Sequence, residues 1–77
     1  MSKRGLQADG SIYTKDGILV YVGMWVSDTS GYYEVKSIRH NHITLEEVEL
    51  DESGDYYLKG NYRYLTGNEM GNMMYSD

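Results

Sequence analysis

The chain of 77 residues reads as a small all-β domain of about five short antiparallel strands. Three observations predict this class. Two tight-turn pairs, Asp16-Gly17 and Gly60-Asn61, each stand between apolar-rich runs, the arrangement of a two-residue hairpin. Runs rich in β-branched residues and tyrosine recur between polar breaks. Phenylalanine is absent and tyrosine occurs nine times, which suits a half-buried pleated surface.

Taken in order, SIYTKDGILVY (11–21) predicts a first hairpin around Asp16-Gly17. Its second run continues as ILVYVGMWV (18–26), with Ile18, Val20, Val22, Met24 and Val26 on one parity and Leu19, Tyr21 and Trp25 on the other, so both faces are partly covered. SDTSG (27–31) is a loop by composition, YYEVKSI (32–38) a strand, and His40-Asn41-His42 a polar corner.

ITLEEVEL (43–50) admits two readings. Ile43 and Leu45 share one parity, Val48 and Leu50 the other, so a strand needs a bulge near Glu46-Glu47. The alternative is one short helix near 45–52, with Thr44 and Glu47 as a capping box and Ser53-Gly54 as its stop. A helix there would have only Leu45 and Val48 on a narrow stripe, which favours the strand.

In DYYLKGNYRYL (55–65), a turn at Gly60-Asn61 pairs Lys59 with Tyr62, Leu58 with Arg63, Tyr57 with Tyr64 and Tyr56 with Leu65. Alternation then places Tyr56, Leu58, Leu65 and Arg63 on a core face and groups Tyr57, Lys59, Tyr62 and Tyr64 on an exposed one. The strand number and long first loop resemble an SH3-like barrel in architecture, and an architecture of this kind carries no function with it. The predicted organisation is a flexible basic arm (1–10), a small barrel (11–66) and a flexible, methionine-rich tail (67–77) able to act as an apolar hook.

Composition bounds function. A chain this short has a thin core, so its stability is marginal or shared with a partner or a second copy. No cysteine is present to form a disulfide framework or a thiolate zinc site, no apolar run reaches a membrane span, and MSKRGLQADG lacks a secretory signal, so the expectation is a cytoplasmic protein. Twelve acids against seven bases give a formal charge of −5, which speaks against general affinity for nucleic acid.

Chemistry is sparse. His40 and His42 beside Glu46 and Glu47 read as a solvated corner before a metal site. No serine has a nucleophile motif around it, and GNEMG (67–71) lacks the spacing of a phosphate loop. No enzyme activity, cofactor or metal is expected.

The expectation is therefore a non-enzymatic protein-binding module, an adaptor or inhibitor of the small acidic kind that phages encode. Its binding residues are Tyr57, Lys59, Tyr62 and Tyr64, beside an acidic segment with Glu47, Glu49, Asp51 and Glu52 that suits a partner with a basic rim. Homo-oligomerisation is a second expectation. Three alternatives remain: single-stranded nucleic acid stacking on the tyrosines, a structural subunit of an assembly, and an acidic mimic of nucleic acid. The mimic is disfavoured by spacing, since alternate strand residues lie ~6.7 Å apart while duplex DNA carries a charge every ~3.4 Å per strand.

Overall fold

The computed structural model describes residues 3–76. Met1, Ser2 and Asp77, the outermost positions of the expected arm and tail, lie outside the described residues. The elements are β1 (Gly5–Leu6), β2 (Ile12–Tyr13), β3 (Trp25–Asp28), β4 (Gly31–Arg39), β5 (His42–Leu50), β6 (Tyr56–Thr66), α1 (Gly67–Met70) and β7 (Met74–Ser76).

Strands β3 to β6 form an antiparallel meander, and β7 returns to pair with β3, giving the order β6-β5-β4-β3-β7; β1 and β2 make a separate two-stranded hairpin. One face of the large sheet holds the core. Val26, Tyr33, Val35, Ile43, Leu45 and Leu65 pack there against Ile12, Val20, Met24, Met70 and Met73 from the hairpin, the following loop and the C-terminal segment. No helix among the described residues is long and apolar enough to cross a membrane.

The all-β class is observed. The sheet is open, with β6 and β7 as its edges, and no closed barrel is found among the described residues. The reason lies at Gly60-Asn61. These residues do not turn the chain; they sit inside β6, a single strand of 11 residues, so the two strands expected on either side of them are one edge strand. Between the pairs Glu46–Tyr62 and Val48–Leu58, β5 contributes Glu47 alone while β6 contributes Lys59, Gly60 and Asn61. Gly60 (φ 76°) takes the left-handed conformation this bulge demands, and its N–H donates to the Glu46 carboxylate at 3.1 Å.

The strand reading of 43–50 holds, but the bulge expected in it at Glu46-Glu47 is not found: β5 runs in regular register against β4 there, and the extra residues opposite Glu47 belong to β6. A helix at 45–52 is not found: β5 is bonded to β4 on one side and β6 on the other, and a helix would leave both ladders without partners. The helix lies instead at 67–70, where Thr66 accepts from the Glu69 N–H and Glu69 accepts from the Thr66 N–H, a reciprocal capping box.

Asp16-Gly17 does turn the chain, with Gly17 at φ 81° and Tyr13 bridged to Leu19, but not as a two-residue hairpin: Thr14 N–H donates to Ile18 C=O at 2.9 Å, so Lys15, Asp16 and Gly17 form the loop. The run 18–26 is not one strand, because a second turn follows: Met24 N–H donates to Tyr21 C=O at 3.2 Å and Gly23 sits at φ 96°. The His40-Asn41 corner is observed as the β4–β5 connection, with His40 at φ 54°.

The segments expected as arm and tail contribute to the folded unit. Met70 and Met73 are fully buried, and β7 pairs Tyr75 with Val26. Arg4 donates to Gly71 C=O at 2.7 Å and to the Asn72 side chain at 2.8 Å, tying both ends together. The sheet's one-sided core needs a second layer, and the adaptable methionines supply it.

Candidate functional site

The candidate site is the face of the sheet opposite the core. Register arranges it in rows across the strands. Trp25, Glu34, Glu46 and Tyr62 form one row; Ser27, Tyr32, Val48 and Leu58 form the next; Leu50 pairs with Tyr56 beyond, and Thr44 with Tyr64 on the other side. Val48 is buried apart from the main core, and Glu46 beside it is only 7% exposed. Around them Tyr32, Leu50, Tyr56, Leu58, Tyr62 and Tyr64 are exposed, Tyr64 to 73%.

A buried carboxylate is costly unless bonded, and Glu46 is. One oxygen accepts from Gly60 N–H; the other lies 3.8 Å from Lys36 Nζ. Lys36 also donates to Glu34 at 3.0 Å, which holds its ammonium above the usual range. Glu34 accepts in turn from the Trp25 indole N–H at 3.3 Å. The polar centre of the face is thus internally paired, and what it offers outward is aromatic and apolar area.

The expected quartet of Tyr57, Lys59, Tyr62 and Tyr64 is divided. The bulge at Gly60 replaces the turn that would have aligned them, so Tyr62 and Tyr64 lie with Trp25 while Tyr57 and Lys59 lie on the other face beside Glu47 and Glu49. Tyr56 and Leu58, expected in the core, are exposed for the same reason. On that other face Lys59 Nζ lies 3.0 Å from Glu49 and 3.6 Å from Glu47, and Tyr57 OH donates to Glu49 at 3.1 Å. The Lys59 hydrogen bond, then that of Tyr57, lowers the Glu49 pKa; Lys59 and Tyr57 are raised in return, mainly by the same carboxylate.

Asp51 belongs to the turn between β5 and β6. Its Oδ1 accepts from Ser53 N–H (2.9 Å), Ser53 Oγ (2.7 Å) and Asp55 N–H (3.0 Å), and the Ser53 hydroxyl chiefly lowers its pKa. Glu52 is exposed in the same turn. The identical device recurs at Asp9 with Ser11 and at Asp28 with Ser30. Asp-x-Ser is thus the chain's turn signature, local side-chain bonding standing in for the backbone.

Arg63 leaves this face. Its guanidinium reaches Asp28 at 2.7 Å and lies 5.4 Å from the Tyr33 ring centroid. Sequence reasoning missed Trp25, Tyr32, Glu34, Lys36, Glu46, Tyr56 and Leu58 as members of the face. Parity of Trp25 in β3 with Tyr32 and Glu34 in β4 was the available signal.

Among the described residues no group of three or more His, Asp, Glu or Cys is placed to hold a metal ion. No family model matches the chain, and no curated protein or solved structure matches it.

Proposed function

We propose that the chain is a non-enzymatic protein-binding module whose partner docks on the aromatic face of the sheet. The observation that carries this is the contiguous patch of Tyr32, Leu50, Tyr56, Leu58, Tyr62 and Tyr64, exposed together on one face of a folded domain. Large exposed apolar patches mark binding sites, and tyrosine supplies rigid anchor area at low entropic cost.

Charge sets the rim. Between Glu46 and Lys59 stand six acids and one base, a net of −5; the remaining six acids and six bases cancel. The whole formal charge of the chain therefore equals that of residues 46–59, the distal part of the β5–β6 hairpin. That end suits a partner whose docking surface is bordered by lysine or arginine, and steers its approach. Lys36, Lys59 and Arg63 are each already paired with carboxylates, which leaves few cations for a nucleic-acid backbone.

The test is retention from cell extract by immobilised wild type and by a Tyr62→Ser, Tyr64→Ser variant. The reading expects a protein retained by the first and lost by the second, with Tyr57→Ser far less affected. Tight binding of labelled single-stranded oligonucleotide by the wild type would overturn it.

A further inference from the structure

The geometry points to a second copy of this chain as an occupant of the exposed edge of β6: we propose that two copies pair antiparallel about Tyr64, joining two five-stranded sheets into one of ten strands. The inference rests on the reading of β6 as part of a binding surface and adds to it the identity and register of one occupant.

The two edges of the sheet differ. β7 has 3 residues, whereas β6 has 11. An edge strand presents unpaired N–H and C=O groups, and proteins guard long ones with lysine, proline, inward charges or bulges. β6 has its bulge at Gly60, which separates a second stretch, Asn61–Thr66, from the first. That stretch has no proline, no lysine and no acid. Its single charge, Arg63, is turned to the core side and held by Asp28 at 2.7 Å. Tyr62 and Tyr64 stand 54% and 73% exposed on the opposite side. Beyond the bulge the one guard left is the inward charge of Arg63, and Asp28 pairs it.

Register follows from symmetry. Pairing that keeps the aromatic faces of both copies on one side places residues of like parity opposite each other, so the two-fold axis passes midway between the two copies of one residue, either Arg63 or Tyr64, near the middle of Asn61–Thr66. An axis at Arg63 sets two guanidinium-bearing residues directly opposite, which like charges disfavour. An axis at Tyr64 sets tyrosine against tyrosine, Tyr62 against Thr66 and Arg63 against Leu65, and joins the two aromatic faces.

The charge distribution permits this contact. The net charge of −5 is that of residues 46–59, toward the tip of the β5–β6 hairpin, and antiparallel pairing sends the two hairpin tips to opposite ends. Eight residues separate Tyr64 from Tyr56, so the tips stand on the order of 50 Å apart, several Debye lengths at physiological salt. What meets at the seam is a stretch whose one charge, Arg63, is already paired with Asp28.

The absence of cysteine makes the test direct. Opposite residues in an antiparallel pair have Cα atoms ~4.5–5.5 Å apart, within disulfide reach. Tyr64→Cys, carrying a single exposed thiol, should oxidise to a covalent dimer roughly tenfold or more faster than the exposed control Tyr57→Cys, because pairing raises the effective concentration. Light scattering of the wild type at high micromolar concentration should give twice the chain mass of 8.9 kDa, and Tyr64→Lys should return it to one. A monomeric wild type, or equal oxidation at positions 57 and 64, overturns the pairing. That failure is distinct from failure of the binding reading: a monomer that still retains a protein through Tyr62 and Tyr64 sinks only the second copy as occupant.

Discussion

The rings of Trp25 and Tyr56 meet edge to face, with centroids 4.4 Å apart and planes at 84°, although they stand on strands that are three places apart in the sheet. On a flat sheet the register would put their backbones about 19 Å apart. The meeting requires the β5–β6 hairpin to coil over the aromatic face, and the bulge at Gly60 is the local device that strengthens twist in this way. Curvature therefore comes from two extra residues in one strand, and it buries Val48 and Glu46 beneath the patch.

Tyr56→Ala should lower the urea midpoint by the equivalent of about 1 kcal/mol, since an edge-to-face pair contributes that much beyond its area. The slope of the transition should not change. Trp25 is the only indole, so its emission should shift to longer wavelength in the folded variant. An unshifted spectrum with an unchanged midpoint would show that the pair contributes nothing.

Two glycines should fail for different reasons. Gly60→Val meets no atom within 4 Å but forces a β-branched residue to φ 76°, at about 1–2 kcal/mol. Gly67→Ala is not strained in φ, yet its Cβ would stand 2.6 Å from the Asn41 side-chain oxygen that receives the Gly67 N–H. Its cost, about 1–3 kcal/mol, should fall when Asn41 is shortened to Ala. Denaturant titration of the single and double variants separates the cases.

Met70→Ala and Met73→Ala remove side chains that are fully buried, each at about 2–5 kcal/mol. For a domain this small that is much of the total stability. Deleting residues 67–77 should abolish the cooperative thermal transition. A truncated chain that still unfolds cooperatively would mean that this segment is an appendage.

Acid should weaken the protein partly through Asp28. Partial burial pushes its carboxyl up, but hydrogen bonds from the Ser30 hydroxyl and from Arg63 outweigh this and hold the pKa below the usual 3.8. As pH falls, the unfolded chain takes up the proton first, so the contribution is complete above about pH 4 and lost as pH drops through the folded value. Asp28→Asn should be less stable at pH 7 by about 1 kcal/mol, the pair being partly open to solvent, and should lose less stability on going to pH 3. An equal acid loss in both proteins would remove Asp28 from this account.

β4 and β5 are legible from alternation, whereas β1 and β7 lie in segments that read as arm and tail, half of β3 reads as loop and β6 reads as two strands; the site is legible only in part. The parity conflict between Leu45 and Val48 is legible but misread: no bulge in β5 resolves it, and the two residues face opposite sides of the sheet. The same signs misled elsewhere because tertiary context decides between them. Thr-x-x-Glu occurs at Thr44–Glu47 and at Thr66–Glu69; the first lies in a strand bonded on both sides, the second caps a helix at the sheet's end. Gly60-Asn61 has a turn's composition, but Asp51, Ser53, Gly54 and Asp55 already turn the chain a few residues earlier. Once the chain has turned, the extra residues can only bulge. That single displacement reassigned the faces of Tyr56, Tyr57, Leu58 and Lys59.

The Asp-x-Ser turns also bear on how the chain reaches its fold. The three links of the β3 to β6 meander close over a few residues each, two of them with their own carboxylate clamp, while β7 must find β3 across some fifty positions. Ring closure over that distance carries a larger entropic penalty than a hairpin does, so the expected order is the meander first and the methionine segment docking onto it last. Assembly in that order leaves the core side of the sheet bare for a time, and amide exchange in β7 should accordingly be faster than in β4 and β5, whose opening requires the whole molecule to unfold.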